Sequence, residues 1–483
     1  MGRNLKLVHY SLAALTLAAL TGCPASYGDD DDDIYGGLPA DNSGYVGDPD
    51  EVSIPPEDVE DALCEDAPAG SETYFVSADD SNSQAQPAWI RAAIEAGTSW
   101  SGAIRPYEFL NYYDFDYGPG SELRIEPQLR VHDDGLSLLV AVVAPDKALT
   151  ERRPLNLTFS LDRSGSMGGR GIDGMKHAMR AIAAELQEGD TVSVVSWSAS
   201  QVVAMNSRAM SGPNDPALIN LINGLDSGGS TNLQGGLQRA YEIAAANSSS
   251  SSLDRVILIS DGGANVGVTS ADLIAEHAED GESDGIYLAA IGTGSIQEQF
   301  LDTITDLGQG SYLFVDSAAE AQRKLRGPEF LASLDLAARD VQLDITLPEG
   351  LVINVFSGEE ISTNPDEVRP QHLAPNDAML YHFDLVDCGE AADWADREIS
   401  LHVEWLEPTV GTPMSADLTV SVEQLALGAA DQVLKADAIL AYTNELASEN
   451  PDLAVVAAAR AAAPNDQDLI EVERLLTLMG ALP

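Results

Sequence analysis

The stretch "LTFSLDRSGSM", residues 157–167, sets oxygen-bearing side chains at regular spacing. Its apolar residues alternate as in a strand as far as Asp162, and Ser164 and Ser166 follow among glycines. Carboxylate and hydroxyl oxygens are hard donors that suit Mg²⁺, Mn²⁺ or Ca²⁺ and do not suit zinc. The spacing therefore predicts a small, oxygen-lined cation site after a strand.

Two later segments could complete this site. "LDSGGSTNLQGGL" places Thr231 in a glycine-rich loop ahead of a helix, and "RVILISDGGANVG" runs an apolar strand into Asp261. Open α/β sheets bind ligands at the carboxyl ends of their strands. We therefore expect Asp162 and Asp261 to lie at one rim of one sheet.

The segment that must position these residues, 151–334, alternates between strand and helix patterns. Such alternation is typical of an α/β fold with a doubly wound, Rossmann-like sheet that has helices on both faces. We expect strands at 155–161, 191–197, 201–205, 255–260, 286–291 and 312–315. We expect helices at 172–187, 215–223, 233–246, 270–279, 297–307 and 317–334.

Other patterns flank this segment. Residues 71–150 hold a short helix and then a β pattern from 122, residues 335–426 alternate as antiparallel strands, and residues 427–483 are helical. We expect 122–150 and 335–426 to pair into one β-sandwich-like domain in which the α/β segment is inserted, since insertions are tolerated where domain termini lie close together. Two separate small β units are the alternative.

The amino-terminal residues 1–22 have the charged and apolar regions of a signal peptide. They end in Leu-Thr-Gly before Cys23, which resembles the lipobox of bacterial lipoproteins. That resemblance implies a lipid on Cys23 and an extracytoplasmic protein anchored to a membrane of the cell envelope. The alternative is a core helix that ends in cysteine. Residues 23–70 are acidic and predict a disordered tether.

Net charge and cysteine content limit the partners, the disulfide bonds and the metal sites that are expected. The formal net charge is −53, which repels nucleic acid, so no nucleic-acid partner is expected. Besides Cys23 the chain has Cys64 and Cys388, which could pair in an oxidising compartment. No cluster of cysteine and histidine has the spacing of a zinc site.

The order strand–DxSxS–helix, threonine loop–helix, strand–Asp–Gly resembles the von Willebrand factor type A domain and its metal-ion-dependent adhesion site. The resemblance implies that Ser164, Ser166 and Thr231 bind the metal directly and that Asp162 and Asp261 act through water. Segments such as "RPYEFLNYYDFDY" and "SDGGANVGVTS" extend the likeness to a family of bacterial type A domain lipoproteins with their own amino- and carboxyl-terminal regions.

These features favour a lipid-anchored binding or adhesion module. Neutral hydroxyl ligands leave Mg²⁺ (or Mn²⁺ or Ca²⁺) electrophilic, so that it can accept an Asp or Glu carboxylate of a protein ligand. One alternative is a structural envelope lipoprotein whose site is not used for ligand binding. A hydrolase is the other, but the sequence has no GxSxG elbow and its histidines show no pairing motif, so we expect no enzyme. The sequence does not indicate an oligomeric state.

One strand departs from the usual type A pattern. "LNLTFSLD" carries the polar residues Asn156, Thr158 and Ser160 on one face, although central parallel strands are normally apolar on both faces. We expect either a loosely packed helix or a polar partner there. Arg163, between Asp162 and Ser164, is expected to be a solvent-facing loop residue, with ligand contact as the alternative.

Overall fold

The computed structural model describes residues 63–65, 67–81, 83–132, 135–249, 251–263, 286–297, 300–301, 304–305, 310–389, 393–449 and 451–482. The chain divides into two units, residues 1–66 and 67–483, and the second carries every element below. The predicted signal peptide, Cys23 and most of the predicted acidic tether lie outside the described residues, as do the predicted helix at 270–279 and much of the one at 297–307.

A 6-stranded sheet lies at the centre of the second unit, in the order β6-β5-β4-β7-β8-β9. Neighbouring strands are parallel except β6, which pairs with β5 in the antiparallel sense. The strands are β4 (Leu155–Asp162), β5 (Glu188–Trp197), β6 (Gln201–Ser211), β7 (Leu253–Ser260), β8 (Ile286–Gly292) and β9 (Ser311–Phe314). The predicted α/β sheet is confirmed.

Helices cover both faces of this sheet because successive strand residues point to opposite sides. One core joins Met175 and Ile182 of a helix to Phe159 and Ile257 of the strands. A second core joins Leu237 of another helix to alternate strand residues such as Leu258. The helices of this layer are α3 (Arg170–Glu185), α4 (Pro216–Asn223), α5 (Leu233–Asn247), α6 (Ala318–Lys324) and α7 (Pro328–Ala332).

The single helix expected at 317–334 is wrong, since two short helices, α6 and α7, occupy that range. Gly327 separates them with a φ of 61°, and Pro328 begins α7. Proline donates no backbone hydrogen bond and cannot continue a helix, but it fits the first turn of a new one.

Two antiparallel sheets are built from strands on both sides of the α/β segment. One has the order β12-β1-β10-β15-β16 with β13 beside β10, and the other has the order β11-β14-β3-β2. Both sheets contribute to one apolar core, in which Leu138 and Val140 meet Ile345 and Leu401. These sheets and the central sheet together confirm the predicted fold class.

The strands of the two antiparallel sheets have these bounds: β1 (Glu72–Ser77), β2 (Arg124–His132), β3 (Gly135–Val143), β10 (Ala338–Leu347), β11 (Leu351–Phe356), β12 (Glu360–Ser362), β13 (Gln371–Leu373), β14 (Ala378–Asp387), β15 (Glu398–Leu406) and β16 (Pro413–Ser421). Strand β1 pairs with β10, and β3 pairs with β14 over eight residues, from Leu136 to Val143. Segments that precede and follow the α/β layer in sequence are therefore hydrogen-bonded to each other.

A helical layer joins both ends of the described chain. It contains α1 (Ala85–Ala96), α2 (Pro106–Tyr112), α9 (Asp431–Leu446), α10 (Ala454–Ala462) and α11 (Gln467–Met479), while the short α8 (Val422–Ala426) follows β16. Ile90, Phe109, Ile439 and Val472 share the core that underlies α5. Among the described residues, no helix combines the length and the apolar character needed to cross a membrane.

Candidate metal centre

The first part of the candidate site is built where β4 ends. Strand β4 is buried along its whole length, and its last residue, Asp162, has no exposed surface. A single helical turn, Gly165–Met167, follows before α3 begins at Arg170. This tight connection places Ser164 and Ser166 at the carboxyl end of the sheet, as the sequence predicts.

Both oxygens of the Asp162 carboxylate have partners. The backbone amide of Ser164 donates to Oδ1 at 2.8 Å, and the hydroxyl of Ser260 donates to Oδ2 at 2.7 Å. Burial raises the pKa of Asp162, these hydrogen bonds lower it and the neighbouring Asp261 raises it, which together give a pKa of about 6. The carboxylate is therefore held in one orientation at a place that favours positive charge.

The two serines meet at the rim. Ser164 Oγ and Ser166 Oγ lie 3.0 Å apart, at hydrogen-bond distance. Ser164 is buried whereas Ser166 is exposed, so the hydroxyl pair leads from the interior to the surface. Two oxygens at this separation, beside an oriented carboxylate, match the donor chemistry of a hard divalent cation.

The threonine loop is tied to the serine loop by two backbone hydrogen bonds. Gly165 N donates to Gly229 O at 2.9 Å, and Gly228 N donates to Arg163 O at 2.7 Å. Gly229 has a φ of 99°, which a side chain would strain. Thr231 follows this turn and is buried, just before α5 begins. The glycines thus let the two loops approach closely and bring Thr231 to the same rim.

Asp261 follows the last residue of β7, the strand beside β4. The amide of Gly263 donates to its Oδ1 at 3.1 Å, and its carbonyl accepts from Gln297 N at 2.8 Å. The side chain is 4% exposed. The structure therefore sets Asp162 and Asp261 at the ends of neighbouring strands, where the charge of Asp261 acts on Asp162.

Ser260 is a site residue that sequence reasoning missed. It orients Asp162 and also accepts a hydrogen bond from Gly262 N at 3.0 Å. Its position directly before Asp261 at the end of an apolar strand was the available signal. Arg163 is a loop residue whose side chain is 34% exposed; its Nε donates to the carbonyl of Asp226 at 2.7 Å, and its guanidinium pairs with the Asp226 carboxylate.

Two of the three polar side chains on this face of β4 have partners inside the sheet, whereas the buried Thr158 Oγ1 makes no hydrogen bond within the described part of the chain. Asn156 Nδ2 donates to Asp254 Oδ1 at 2.6 Å, and Trp197 Nε1 donates to Ser160 Oγ at 2.9 Å. Helix α5 packs closely there, because a Cβ on Gly236 would come within 2.3 Å of the Trp197 ring. The helix is therefore closely packed at Trp197, and the polar partners of Asn156 and Ser160 are groups of the neighbouring strands.

The donor set of this rim fits a hard cation. Its oxygens come from hydroxyl and carboxylate groups, with the hydroxyls of Ser164, Ser166 and Thr231 in the majority. Across the described ranges, no group of three or more His, Cys, Asp or Glu side chains is placed to hold a metal ion. Mg²⁺, Mn²⁺ or Ca²⁺ would suit these oxygens, and the assignment of the five residues as ligands stays a prediction.

The remaining predicted site residues are cysteines. Cys64 and Cys388 each take part in a disulfide bond. Their pairing with each other stays a prediction. Cys23, the predicted lipidation site, lies outside the described residues.

Comparisons with known proteins place the central sheet in a family. The sequence model of the von Willebrand factor type A domain matches residues 156–327. The chain is 27% identical over 318 residues to the uncharacterised protein YfbK of Escherichia coli (strain K12), covering 62% of this chain and 52% of that protein. It is 27% identical over 216 residues to the uncharacterised protein sll0103 of Synechocystis sp., covering 42% of this chain and 50% of that protein.

A human protein and a solved structure are also similar to this chain. The chain is 27% identical over 263 residues to human inter-alpha-trypsin inhibitor heavy chain H1, covering 50% of this chain and 27% of that protein. A solved von Willebrand factor type A protein from Catenulispora acidiphila superimposes with a TM-score of 0.45 at 16% identity, covering 76% and 89% of the two chains. The chain spans about half the length of the two bacterial relatives. Residues 156–327, which hold the central sheet, match the von Willebrand factor type A domain, and the rest of the chain lies outside that match.

Proposed function

We propose that this protein is a metal-dependent binding module that captures a carboxylate of a protein ligand. In this proposal the hydroxyls of Ser164, Ser166 and Thr231 hold a divalent cation directly, Mg²⁺ or else Mn²⁺ or Ca²⁺. Asp162 and Asp261 contribute through water. The proposal concerns binding and adhesion and assigns no catalysis to the serines.

One observation carries the proposal. The hydroxyls of Ser164 and Ser166 lie 3.0 Å apart beside Asp162, whose two carboxylate oxygens are already held by Ser164 N and Ser260 Oγ. The carboxylate is therefore oriented by the protein, and its charge is available to a cation that the hydroxyls contact. Such preorganisation lowers the cost of assembling the site when a cation binds.

The types of ligand explain why a bound cation would accept a partner. Mg²⁺ prefers six oxygen ligands and usually keeps several waters. Neutral hydroxyls donate little negative charge, so the cation would keep its affinity for one more anionic oxygen. A carboxylate from Asp or Glu of a protein ligand is the partner of matching chemistry.

The net charge of the chain sets the conditions for this binding. A formal charge of −53 repels an acidic ligand at long range, so screening by salt should speed the encounter. The contact at the metal is short-ranged and is screened much less. We therefore expect association to be faster at moderate ionic strength than at low ionic strength.

Anchoring is a further part of the proposal. The lipobox-like tetrapeptide before and at Cys23, together with the signal-peptide pattern, supports a lipid anchor and an extracytoplasmic, envelope-bound location. Replacing Cys23 with alanine should release the protein from the membrane fraction. Continued attachment of this variant to membranes would contradict lipidation at that cysteine.

The metal site is tested by thermal unfolding of the full chain in EDTA and in excess Mg²⁺ or Mn²⁺. A cation that binds the folded state raises Tm, and Asp162→Ala or Thr231→Ala should remove that rise. Asp173→Ala, which removes an exposed acid from the first turn of α3, is the matched control and should keep it. The absence of any metal-dependent rise in the wild type would favour the structural alternative.

Ligand capture is tested separately. Envelope proteins are passed over immobilised wild-type protein and over Asp162→Ala, with and without EDTA. A ligand that is retained by the wild type in Mg²⁺ and lost in the other three conditions supports carboxylate capture. Equal retention in all four conditions would contradict it.

A further inference from the structure

A cavity of about 390 Å³ lies apart from the metal centre. It is bounded by the loop after α2, the end of β3, the helices α6 and α7, and the start of β14. Phe115 and Tyr117 of the loop contribute aromatic rings to its wall. Its volume falls within the range of about 300–1,000 Å³ that is usual for small-molecule sites.

Carboxylates from four separate segments line this cavity, and they are Asp114, Asp116, Asp146, Glu329 and Asp377. Lys324 is the one cationic side chain among its lining residues. Its ammonium is already engaged, since Nζ donates to the carbonyl of Tyr112 at 2.8 Å and lies 4.2 Å from the centre of the Tyr112 ring. The cavity therefore carries an excess of negative charge.

One buried acceptor in this wall has no partner. Asn111 Oδ1 is shielded from solvent and makes no hydrogen bond within the described part of the chain, whereas the Asp377 carboxyl accepts from Ala378 N and interacts with Ser81. Asn111 is only 5% exposed, and its amide nitrogen is fixed by the carbonyl of Asp80 at 3.1 Å, which leaves Oδ1 as a free acceptor. An unsatisfied buried acceptor costs about 1–3 kcal/mol. This atom indicates a ligand that donates a hydrogen bond.

The carboxyl groups influence one another in the same sense. Burial, with the charge of Glu329 adding to its effect, raises the pKa of Asp377 to about 8. Burial also raises the pKa of Glu329, with Asp114 adding to the effect. Each of these groups would be stabilised in its charged form by a cation within the cavity.

The cavity fits an organic cation better than a metal ion. No group of three or more His, Cys, Asp or Glu side chains in the described ranges is placed to hold a metal. Aromatic π faces attract an alkylammonium group, and the Phe115 ring already has one beside it, since Lys435 Nζ lies 5.4 Å from the centre of that ring. An ammonium also supplies up to three hydrogen-bond donors for the acceptors of this wall.

We propose that this cavity binds a primary alkylammonium group, carried either by a free diamine or by a lysine side chain of a peptide. The acceptor Asn111 Oδ1 and the carboxylates of Glu329 and Asp377 would receive its hydrogens, while Phe115 and Tyr117 would contact its alkyl chain. This site is independent of the metal centre, so its binding should survive EDTA and the Asp162→Ala substitution.

The test is calorimetric titration of the full chain with cadaverine, with a lysine-containing tripeptide and with the neutral diol of the same length. We expect a single saturable site for an ammonium probe and no binding of the diol. Binding of cadaverine alone identifies a free amine as the ligand, whereas tighter binding of the tripeptide identifies a peptide side chain. Equal binding of the diol and the diamine would overturn the proposal, as would Ca²⁺ binding that excludes the amine.

Variants control for the general acidity of the chain. Asp114→Asn combined with Glu329→Gln should weaken cadaverine binding about tenfold or more. The matched pair Glu398→Gln with Glu423→Gln removes the same charge from exposed positions elsewhere and should leave binding unchanged. If both pairs weaken binding equally, the amine is held by the overall charge and the proposal fails.

Discussion

The hydroxyl of Ser260, at the end of β7, donates a hydrogen bond of 2.7 Å to Asp162 Oδ2 at the end of the neighbouring strand β4. Ser260 is fully buried and directly precedes Asp261, which is itself a predicted site residue. The end of β7 therefore has two roles. Asp261 is itself a candidate ligand, and Ser260, the residue before it, orients the candidate ligand Asp162. A hydrogen bond from a residue that does not itself bind the metal fixes the direction of a carboxylate at a metal site.

Replacing Ser260 with alanine should weaken Mg²⁺ binding without removing any predicted ligand. Hydrogen bonds to charged groups contribute about 1.5–3 kcal/mol, so a loss of about tenfold or more in metal affinity is expected. Calorimetric titration with Mg²⁺ measures it. Ser200→Ala, an exposed serine between β5 and β6, should bind Mg²⁺ like the wild type. Wild-type affinity in Ser260→Ala would show that the orientation of Asp162 does not matter.

A second prediction concerns the two connections to the central sheet. Lys147 precedes β4 and Asp335 follows α7, and Lys147 Nζ lies 2.6 Å from Asp335 Oδ2. Asp335 is buried, so Lys147→Met removes one counter-charge of a buried carboxylate and leaves the buried Arg255 as another. Because the lysine is partly exposed, we expect the free energy of unfolding to fall by only about 1–2 kcal/mol. Urea unfolding measures this change.

The control for this pair is Lys176→Met, the same substitution on α3. It should change the free energy of unfolding by less than about 0.5 kcal/mol. If Lys147→Met unfolds at the same urea concentration as the wild type, the ion pair does not stabilise the connections.

A third prediction concerns pH and His372. This side chain is buried on β13, its Nδ1 accepts from Asp340 N at 3.3 Å, and burial together with Arg339 and Arg255 lowers its pKa to about 3. The unfolded chain takes up this proton near pH 6.5. The contribution of neutral His372 to the free energy of unfolding is therefore fully present above pH 6.5 and is lost as the pH falls towards 3.

Comparison with His372→Asn isolates this contribution, since the asparagine cannot titrate. Between pH 7 and pH 5 the wild type should lose about 2 kcal/mol more free energy of unfolding than the variant. Urea unfolding at several pH values measures both slopes. If the free energy of unfolding falls equally with pH in the two proteins, the pKa of His372 does not differ between the folded and unfolded states and the prediction is wrong.

The fourth prediction is a bond between Cys64 and Cys388. Peptide mapping by mass spectrometry under non-reducing conditions should recover a linked pair of peptides that contain these cysteines. Reduction should lower Tm, because native disulfides typically contribute about 2–4 kcal/mol. Cys388→Ser should unfold at the same temperature with and without reductant. A wild-type Tm that reductant does not change would exclude a stabilising bond at these positions.

Local patterns in the sequence were enough for the central sheet. The expected strand 155–161 is observed as Leu155–Asp162, and the expected helix 233–246 is observed as Leu233–Asn247. Apolar periodicity indicates which side of an element faces the core, and it is visible in residues that are close together in sequence. The same locality explains why Asp162 and Asp261 could be assigned to strand ends before any partner was known.

Features that depend on distant residues escaped the sequence analysis. On the polar face of β4, Asn156 bonds to Asp254 and Ser160 bonds to Trp197, and these partners are set by the order and register of the strands. The cavity that we propose to bind an alkylammonium group is likewise lined by segments that lie between residue 84 and residue 380. Contacts between such distant segments leave no periodic pattern in the sequence.

The sequence by itself determined the elements of this protein and the oxygen-bearing residues that end two of its strands. Only the tertiary structure decided that Ser260 holds Asp162, that the loops of Ser164 and Thr231 are joined through their glycines, and that acidic side chains from separate segments share one cavity. The physical reason is that secondary structure follows from interactions within a few residues, whereas hydrogen bonds and charges at a site act over a few ångströms in space regardless of separation along the chain.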